Sequence, residues 1–208
     1  FQTSTVSIYQ AKNGAAQVIE APTWLIAYEQ DRTEPMGALL ANVDGRNVPL
    51  SIGYHKVNVE IRDQIARTTV EESFLNHTDQ ILEGVFVFPL PAGASISGFG
   101  MWIGNELVEG DIVEKQRARA IYETILREKR DPGLLEWEGG NLFKARVYPI
   151  SSEKRIKITY TQVLPKLGDT YRYSYALKSD LLRLNPLSKL SIDVRIFSSE
   201  VLKSAVSR

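Results

Sequence analysis

The chain has no cysteine among its 208 residues. That excludes disulfides, thiolate metal sites and a cysteine nucleophile together, and leaves the cellular compartment open. Histidine is almost as scarce: only His55 and His77 are present. Neither has a second histidine or a carboxylate at ligand spacing, so no metal site is expected. Both lie beside strand-like runs and are read as ordinary surface residues. Charge of either sign is not in excess, with 25 Lys and Arg against 25 Asp and Glu. A nucleic-acid partner is therefore not expected. No apolar run approaches the ~18 to 20 residues of a membrane span, so this stretch is not expected to contact a membrane. No signal peptide is legible, and the first residue is Phe1, so the sequence reads as a mature or excised piece with any leader removed.

Reaction motifs are missing as well. There is no nucleophile elbow, no HExxH, no P-loop and no dinucleotide fingerprint. Gly98-Phe99-Gly100 looks like a phosphate loop but lies between strand signals, with no helix start beside it. Carboxylates are plentiful, at Glu106, Glu109, Asp111, Glu114, Glu123, Glu136 and Glu138. Each has a plain structural role as hairpin charge, helix cap, helix surface or loop. No cofactor is implied. Asn76-His77-Thr78 fits the glycosylation pattern, a three-residue match that chance produces often.

What is present is β pattern. A 43% hydrophobic share supports a proper core in one large or two small domains. Val57, Val59 and Ile61 alternate with polar residues, as do Ala66, Thr68, Val70 and Phe74. Glu72 is the odd member of the second set, read as a carboxylate near a sheet edge with a basic or backbone partner. Val85–Phe88 is apolar on both faces and predicts a central strand ended by Pro89 and Pro91. Asp44-Gly45 and Gly104-Asn105 predict hairpins. Tyr171, Tyr173 and Tyr175 share a strand face, as do Leu190, Ile192, Val194 and Ile196. Asp180 to Leu184 reads as one helical turn. Residues 1–35 are less legible, with short strands around Val6, Ile8, Val18 and Ile19 and another across Ala21 to Tyr28.

One helix interrupts this pattern, predicted over 112–129. Ala118, Ile121, Tyr122, Ile125 and Leu126 fall on one face. Asp111 caps its start with Glu114 three residues on, and Asp131-Pro132-Gly133 ends it. The expectation is a mainly β, antiparallel, sandwich-like fold with one inserted amphipathic helix.

The pieces VNVEIRDQIARTTVEESFLN (57–76), LEGVFVFPLPAGASISGFGMWIGNELVEGDIVEKQRARAIYE (82–123), DPGLLEWEGGNLFKARVYPI (131–150) and RIKITYTQVL (155–164) occur in that order. Together they resemble the vault protein inter-alpha-trypsin (VIT) domain. GALLANVDGRNVPL, just before them, resembles the lead-in to such domains in bacterial proteins. The resemblance implies a β-sandwich-like interaction module without catalysis, usually just N-terminal to a von Willebrand factor type A domain. No DxSxS metal motif of that neighbour occurs here, and the strands at 171–197 read as a lead-in to it.

The organisation expected is an N-terminal segment over 1–35, the VIT domain with its lead-in hairpin over 36–165, and a β extension over 166–208. The setting expected is a larger exported bacterial protein. The partner expected is another protein or the downstream domain of the same chain. Candidate contact residues are Trp102 and the turn Trp137, Glu138, Gly139, Gly140 and Asn141. A large aromatic beside two glycines can anchor a partner, although tryptophan is more often buried cover for a core. The alternatives are an adhesive spacer and a hydrolytic β-sandwich using two carboxylates across one cleft.

Overall fold

The computed structural model describes residues 5–12, 15–20, 36–43, 46–110, 134–138, 142–177, 186–199 and 201–206, with backbone alone for 5–12, 15–20, 47, 134–138 and 142. The helix expected at 112–129, the strand at Ala21 to Tyr28 and the turn at Asp180 to Leu184 lie outside these residues.

Fifteen strands are formed among the described residues. They are β1 (Thr5–Lys12), β2 (Ala15–Glu20), β3 (Ala38–Val43), β4 (Arg46–Pro49) and β5 (Ser51–Arg62). Next come β6 (Ile65–Leu75), β7 (Leu82–Pro89), β8 (Ser95–Ile103), β9 (Glu106–Glu109) and β10 (Leu134–Glu138). The last are β11 (Leu142–Ile150), β12 (Glu153–Val163), β13 (Lys166–Leu167), β14 (Thr170–Tyr171) and β15 (Lys189–Phe197). An eight-stranded sheet runs β2-β1-β15-β5-β6-β12-β8-β9, and a five-stranded sheet runs β10-β11-β7-β3-β4. β13 and β14 form a separate short hairpin.

The mainly β, sandwich-like expectation holds. β7 is central in its sheet, as its two apolar faces require. Val43 pairs with Arg46 around Asp44-Gly45, and Ile103 with Glu106 around Gly104-Asn105, so both hairpins form where the turn residues put them. Pairing is antiparallel except at β15, which runs parallel to both β1 and β5. β5 and β15 are separated in sequence by residues 63–188, so no tight hairpin joins them and the parallel sense that a hairpin forbids is open to them. The large sheet thereby takes strands from before residue 36, from the middle of the chain and from after residue 166.

Burial follows the period of two. Val57, Val59 and Ile61 on β5, Ala66, Thr68, Val70 and Phe74 on β6, and Ile156, Ile158 and Tyr160 on β12 all face inward. Aromatic contacts tie the two sheets together. Phe74 meets Phe86 at 5.8 Å between ring centroids, Phe88 meets Tyr160 at 6.0 Å, and Phe99 meets Phe143 at 5.3 Å. Each such pair adds about 0.5–1.5 kcal/mol beyond the area it buries.

The outer face of the large sheet reads in rows across β15, β5, β6 and β12. Successive rows are Ser191–Lys56–Glu71–Lys157, Asp193–Asn58–Thr69–Thr159 and Arg195–Glu60–Arg67–Thr161. Every position in these rows is polar, as a solvated face requires. The next row, at the sheet's end, is Phe197–Arg62–Ile65–Val163, and three of its four positions are apolar.

Candidate functional site

The candidate contact residues fall on two different sheets. Trp102 lies on the outer face of the large sheet and is half-buried. The Arg155 guanidinium stacks over its indole at 5.0 Å from the centroid and donates to the Gly104 carbonyl at 3.1 Å. One face of the ring is thus already occupied, in a contact worth roughly 0.5–1 kcal/mol at an exposed site. Trp137 and Glu138 belong to β10, the edge strand of the smaller sheet, opposite Phe143 and Leu142. Gly139, Gly140 and Asn141 lie outside the described residues. Of the carboxylates considered for catalysis, Glu109 sits 3.8 Å from Lys157 in an exposed ion pair.

The chemistry-bearing groups gather elsewhere, inside the sandwich. A β-bulge between Ile52 and His55 on β5 sets the local geometry. Ser73 Oγ accepts the Tyr54 N–H at 3.1 Å there. Past the bulge, His55 points inward in frame with Val57 and is fully buried. The sequence alone places His55 at the surface, since the legible alternation begins at Val57. The strand starts at Ser51, and the same alternation carries His55 into the core.

His55 faces Glu72 directly across the β5–β6 ladder, with Nδ1 2.8 Å from Glu72 Oε1. Its other ring nitrogen, Nε2, is 2.8 Å from the Tyr175 hydroxyl. Glu72 is therefore not near an edge: β6 lies between β5 and β12, and the carboxylate is 1% exposed. Its basic partner is His55. Its second oxygen, Oε2, has no hydrogen-bond partner among the described residues. Gly37 approaches that oxygen so closely that a Cβ built on it would stand 2.2 Å from Oε2.

A second cluster adjoins the first. The Tyr173 hydroxyl is 2.9 Å from Thr68 Oγ1, and the Tyr160 hydroxyl bonds to both. Residues 172–177 form no ladder, so the tyrosine alternation expected as a strand is instead an extended strap. Tyr173 and Tyr175 reach inward from it, while Tyr171 on β14 stays exposed. Burial pushes the Tyr175 phenol well above the ordinary tyrosine range, with Tyr160, Glu72 and Tyr173 adding to the shift. Burial likewise raises Tyr173 and Tyr160.

The order carboxylate, imidazole, hydroxyl is the geometry that activates a nucleophile in acyl transfer. Here the hydroxyl is a phenol held in its neutral form, with its oxygen turned into the core. The arrangement ties β6, β5 and the strap together. Among the described residues no group of three or more His, Cys, Asp or Glu could hold a metal ion. No helix among them is long and apolar enough to cross a membrane.

His77 is exposed, as expected, with Nε2 2.7 Å from Ser51 Oγ. The neighbouring Asn76 is 7% exposed. Its amide nitrogen donates to the Gln80 carbonyl at 2.8 Å and the Ile150 carbonyl at 3.2 Å, while its oxygen accepts from Thr78. Both amide hydrogens are committed, so in the folded chain this asparagine builds a turn and does not present a glycan acceptor.

Comparison with known proteins places this architecture. The inter-alpha-trypsin inhibitor heavy chain H3 of Pongo abelii is 23% identical over 167 residues, covering 74% of this chain and 19% of that protein. The inter-alpha-trypsin inhibitor heavy chain H4 of Homo sapiens is 28% identical over 147 residues, 69% of this chain and 15% of its own. The protein mono-ADP-ribosyltransferase PARP4 of Homo sapiens is 28% identical over 131 residues, 62% of this chain and 8% of its own. The chain thus spans less than a fifth of the length of these curated relatives. The family model for the vault protein inter-alpha-trypsin domain matches residues 52–161, from within β5 to within β12. More than half of the sequence is inside that match, and the chain belongs to the vault protein inter-alpha-trypsin (VIT) domain family.

Proposed function

We propose that this chain is a non-catalytic protein–protein interaction module of a larger, exported bacterial protein. Its partner is the domain that follows it in that protein, a von Willebrand factor type A domain by family resemblance, or a separate protein. The observation that carries this reading is where the same segment recurs. It is found within two inhibitor heavy chains and within a mono-ADP-ribosyltransferase, as 19%, 15% and 8% of those proteins. A small part shared by proteins so differently named supplies a contact more readily than it supplies an activity. The buried Glu72–His55–Tyr175 relay supports the same reading, since its hydroxyl is turned away from any substrate. The bacterial part of this setting rests on the lead-in GALLANVDGRNVPL, which resembles that of bacterial proteins.

The contact residues proposed are Trp102 on the large sheet and, as a separate candidate, Trp137 and Glu138 on β10 with Gly139, Gly140 and Asn141 that follow them in sequence. The test is capture of the full-length protein's own downstream domain by this chain, comparing wild type with Trp102→Ala and Trp137→Ala. Loss of capture by a folded variant supports the surface, and equal capture removes it. Saturable turnover of a glycoside, ester or peptide, abolished by changing one carboxylate, would sink the non-enzymatic reading.

A further inference from the structure

On the outer face of the large sheet, the end row Phe197–Arg62–Ile65–Val163 follows three rows across β15, β5, β6 and β12 that are polar at every position. Ile65 is 52% exposed and Val163 is 67% exposed, and they are direct cross-strand partners. A single exposed aliphatic residue is ordinary, but a contiguous row confined to one end of a polar face is not. The Arg62 guanidinium lies over the Phe197 ring at 4.2 Å, which adds an arginine–aromatic pair of the kind enriched at protein contacts. Just beyond Val163 the β13–β14 hairpin adds Leu167, 83% exposed.

The chain leaves the sheet at this same end. β15 finishes at Phe197, and Asp63 in the β5–β6 turn clips what comes next. The Asp63 carboxylate accepts the Ser199 N–H at 2.8 Å and the Ser199 hydroxyl at 2.9 Å, while the Asp63 N–H donates to the Phe197 carbonyl at 2.9 Å. The exit direction is therefore fixed beside the apolar row. Anything tethered there meets the row at high effective concentration, so a small apolar contact is enough to seat it.

From this we infer that the end row is the docking surface for the domain that follows this chain in the full-length protein, which packs against Ile65, Val163 and Phe197 beyond the largely exposed stretch 201–206, where Val201 is 90% and Val206 79% exposed. The inference rests on the proposed reading of the chain as an interaction module and supplies that reading with a second, separate surface. A following domain is the occupant that the geometry favours over a second copy, because only a tethered partner uses the clipped exit.

The absence of native cysteine in this chain makes the test direct. In the full-length protein, Val163→Cys is compared with Ile81→Cys for maleimide modification, read site by site by peptide mass spectrometry. Ile81 is 63% exposed and lies away from this end, before β7. The expected result is modification at 163 slower by about tenfold or more than at 81, because it requires local opening. The slowing should persist on dilution and vanish when Ile65→Asp is added. Equal rates at the two sites would overturn the inference while leaving the capture test of the proposed function untouched. Slowing that disappears on dilution would also overturn it, since a second copy would then be the occupant.

Discussion

Glu72 and His55 stand opposite each other in the β5–β6 ladder beside its bulge, 2.8 Å apart and both closed off from solvent. The relay they begin ends at Tyr175, on a strap with no ladder of its own. Apart from the Arg172 N–H, which donates to the Pro165 carbonyl at 3.2 Å, the strap is held through side chains, and the hydroxyls of Tyr173 and Tyr175 should dominate its attachment.

Tyr175→Phe removes the only partner that His55 Nε2 has among the described contacts. A buried polar atom left unpaired costs about 1–3 kcal/mol. Tyr173→Phe should cost less, because Thr68 keeps the Tyr160 hydroxyl as an alternative partner. Urea midpoints of the two variants should fall in that order, and a larger shift for Tyr173→Phe would show that the His55 contact does not carry the strap.

Gly37 offers a sharper steric test. An added methyl would lie 2.2 Å from Glu72 Oε2 and 2.8 Å from Phe86 Cε2, and neither neighbour can swing into solvent. Gly37→Ala should destabilise by about 1–3 kcal/mol, as overpacking does. Gly98→Ala is the control, since its nearest neighbour is Thr159 Cβ at an ordinary 3.6 Å. That change should be neutral or slightly stabilising, by ~0.4–1 kcal/mol through the unfolded chain. A double-mutant cycle with Glu72→Ala should show clear coupling for Gly37→Ala, and additive effects would mean that the two residues do not touch.

The sheets were legible because alternation and turn residues report on them directly. Ala66, Thr68, Val70, Glu72 and Phe74 were assigned to one face, and all five are buried. The interior relay was less legible for a specific reason. Periodicity marks apolar positions, and His55 broke the apolar count just where a bulge also broke the frame. Extending the alternation from Val57 back by two residues was the available signal. Tyr175 gave no such signal, since its partner lies 120 residues away in sequence. The parallel insertion of β15 was invisible for a related reason: strand pattern fixes faces, not neighbours. The apolar end row emerges only once the register of four strands is known.

The helix read at 112–129 yields a prediction from its stripe alone. Tyr122 sits mid-stripe between Ala118 and Ile125. Tyr122→Ala should cost ~3 kcal/mol or more, like other large-to-small core changes. Glu123→Ala, one residue on, should cost well under ~1 kcal/mol. Equal urea midpoints for the two variants would reject the face assignment.

The Asp63–Ser199 clip should answer to pH in one direction. Its hydrogen bonds favour the carboxylate form, first through the Ser199 N–H and then through the Ser199 hydroxyl, and hold Asp63 below the usual aspartate range. A folded-state value below the unfolded one means that the clip's stabilisation is present above the unfolded value. It is lost as pH falls through the lowered one. The clip should therefore be intact at neutral pH and should release only on acidification past the ordinary aspartate range of about 3.9. Asp63 also holds φ at 50° in its turn, a conformation that aspartate and asparagine tolerate better than most residues. Asp63→Asn should then keep the turn and abolish the titration, while Asp63→Ala should lose both the turn preference and the clip. The amide resonance of Ser199, followed by NMR from pH 7 downward, reads this directly. In the wild type it should shift with a midpoint below that of an unpaired aspartate, and in Asp63→Asn it should stay flat. A midpoint at or above the ordinary aspartate value would show that Ser199 does not hold the carboxylate, and the exit of the chain from β15 would then not be fixed by this turn.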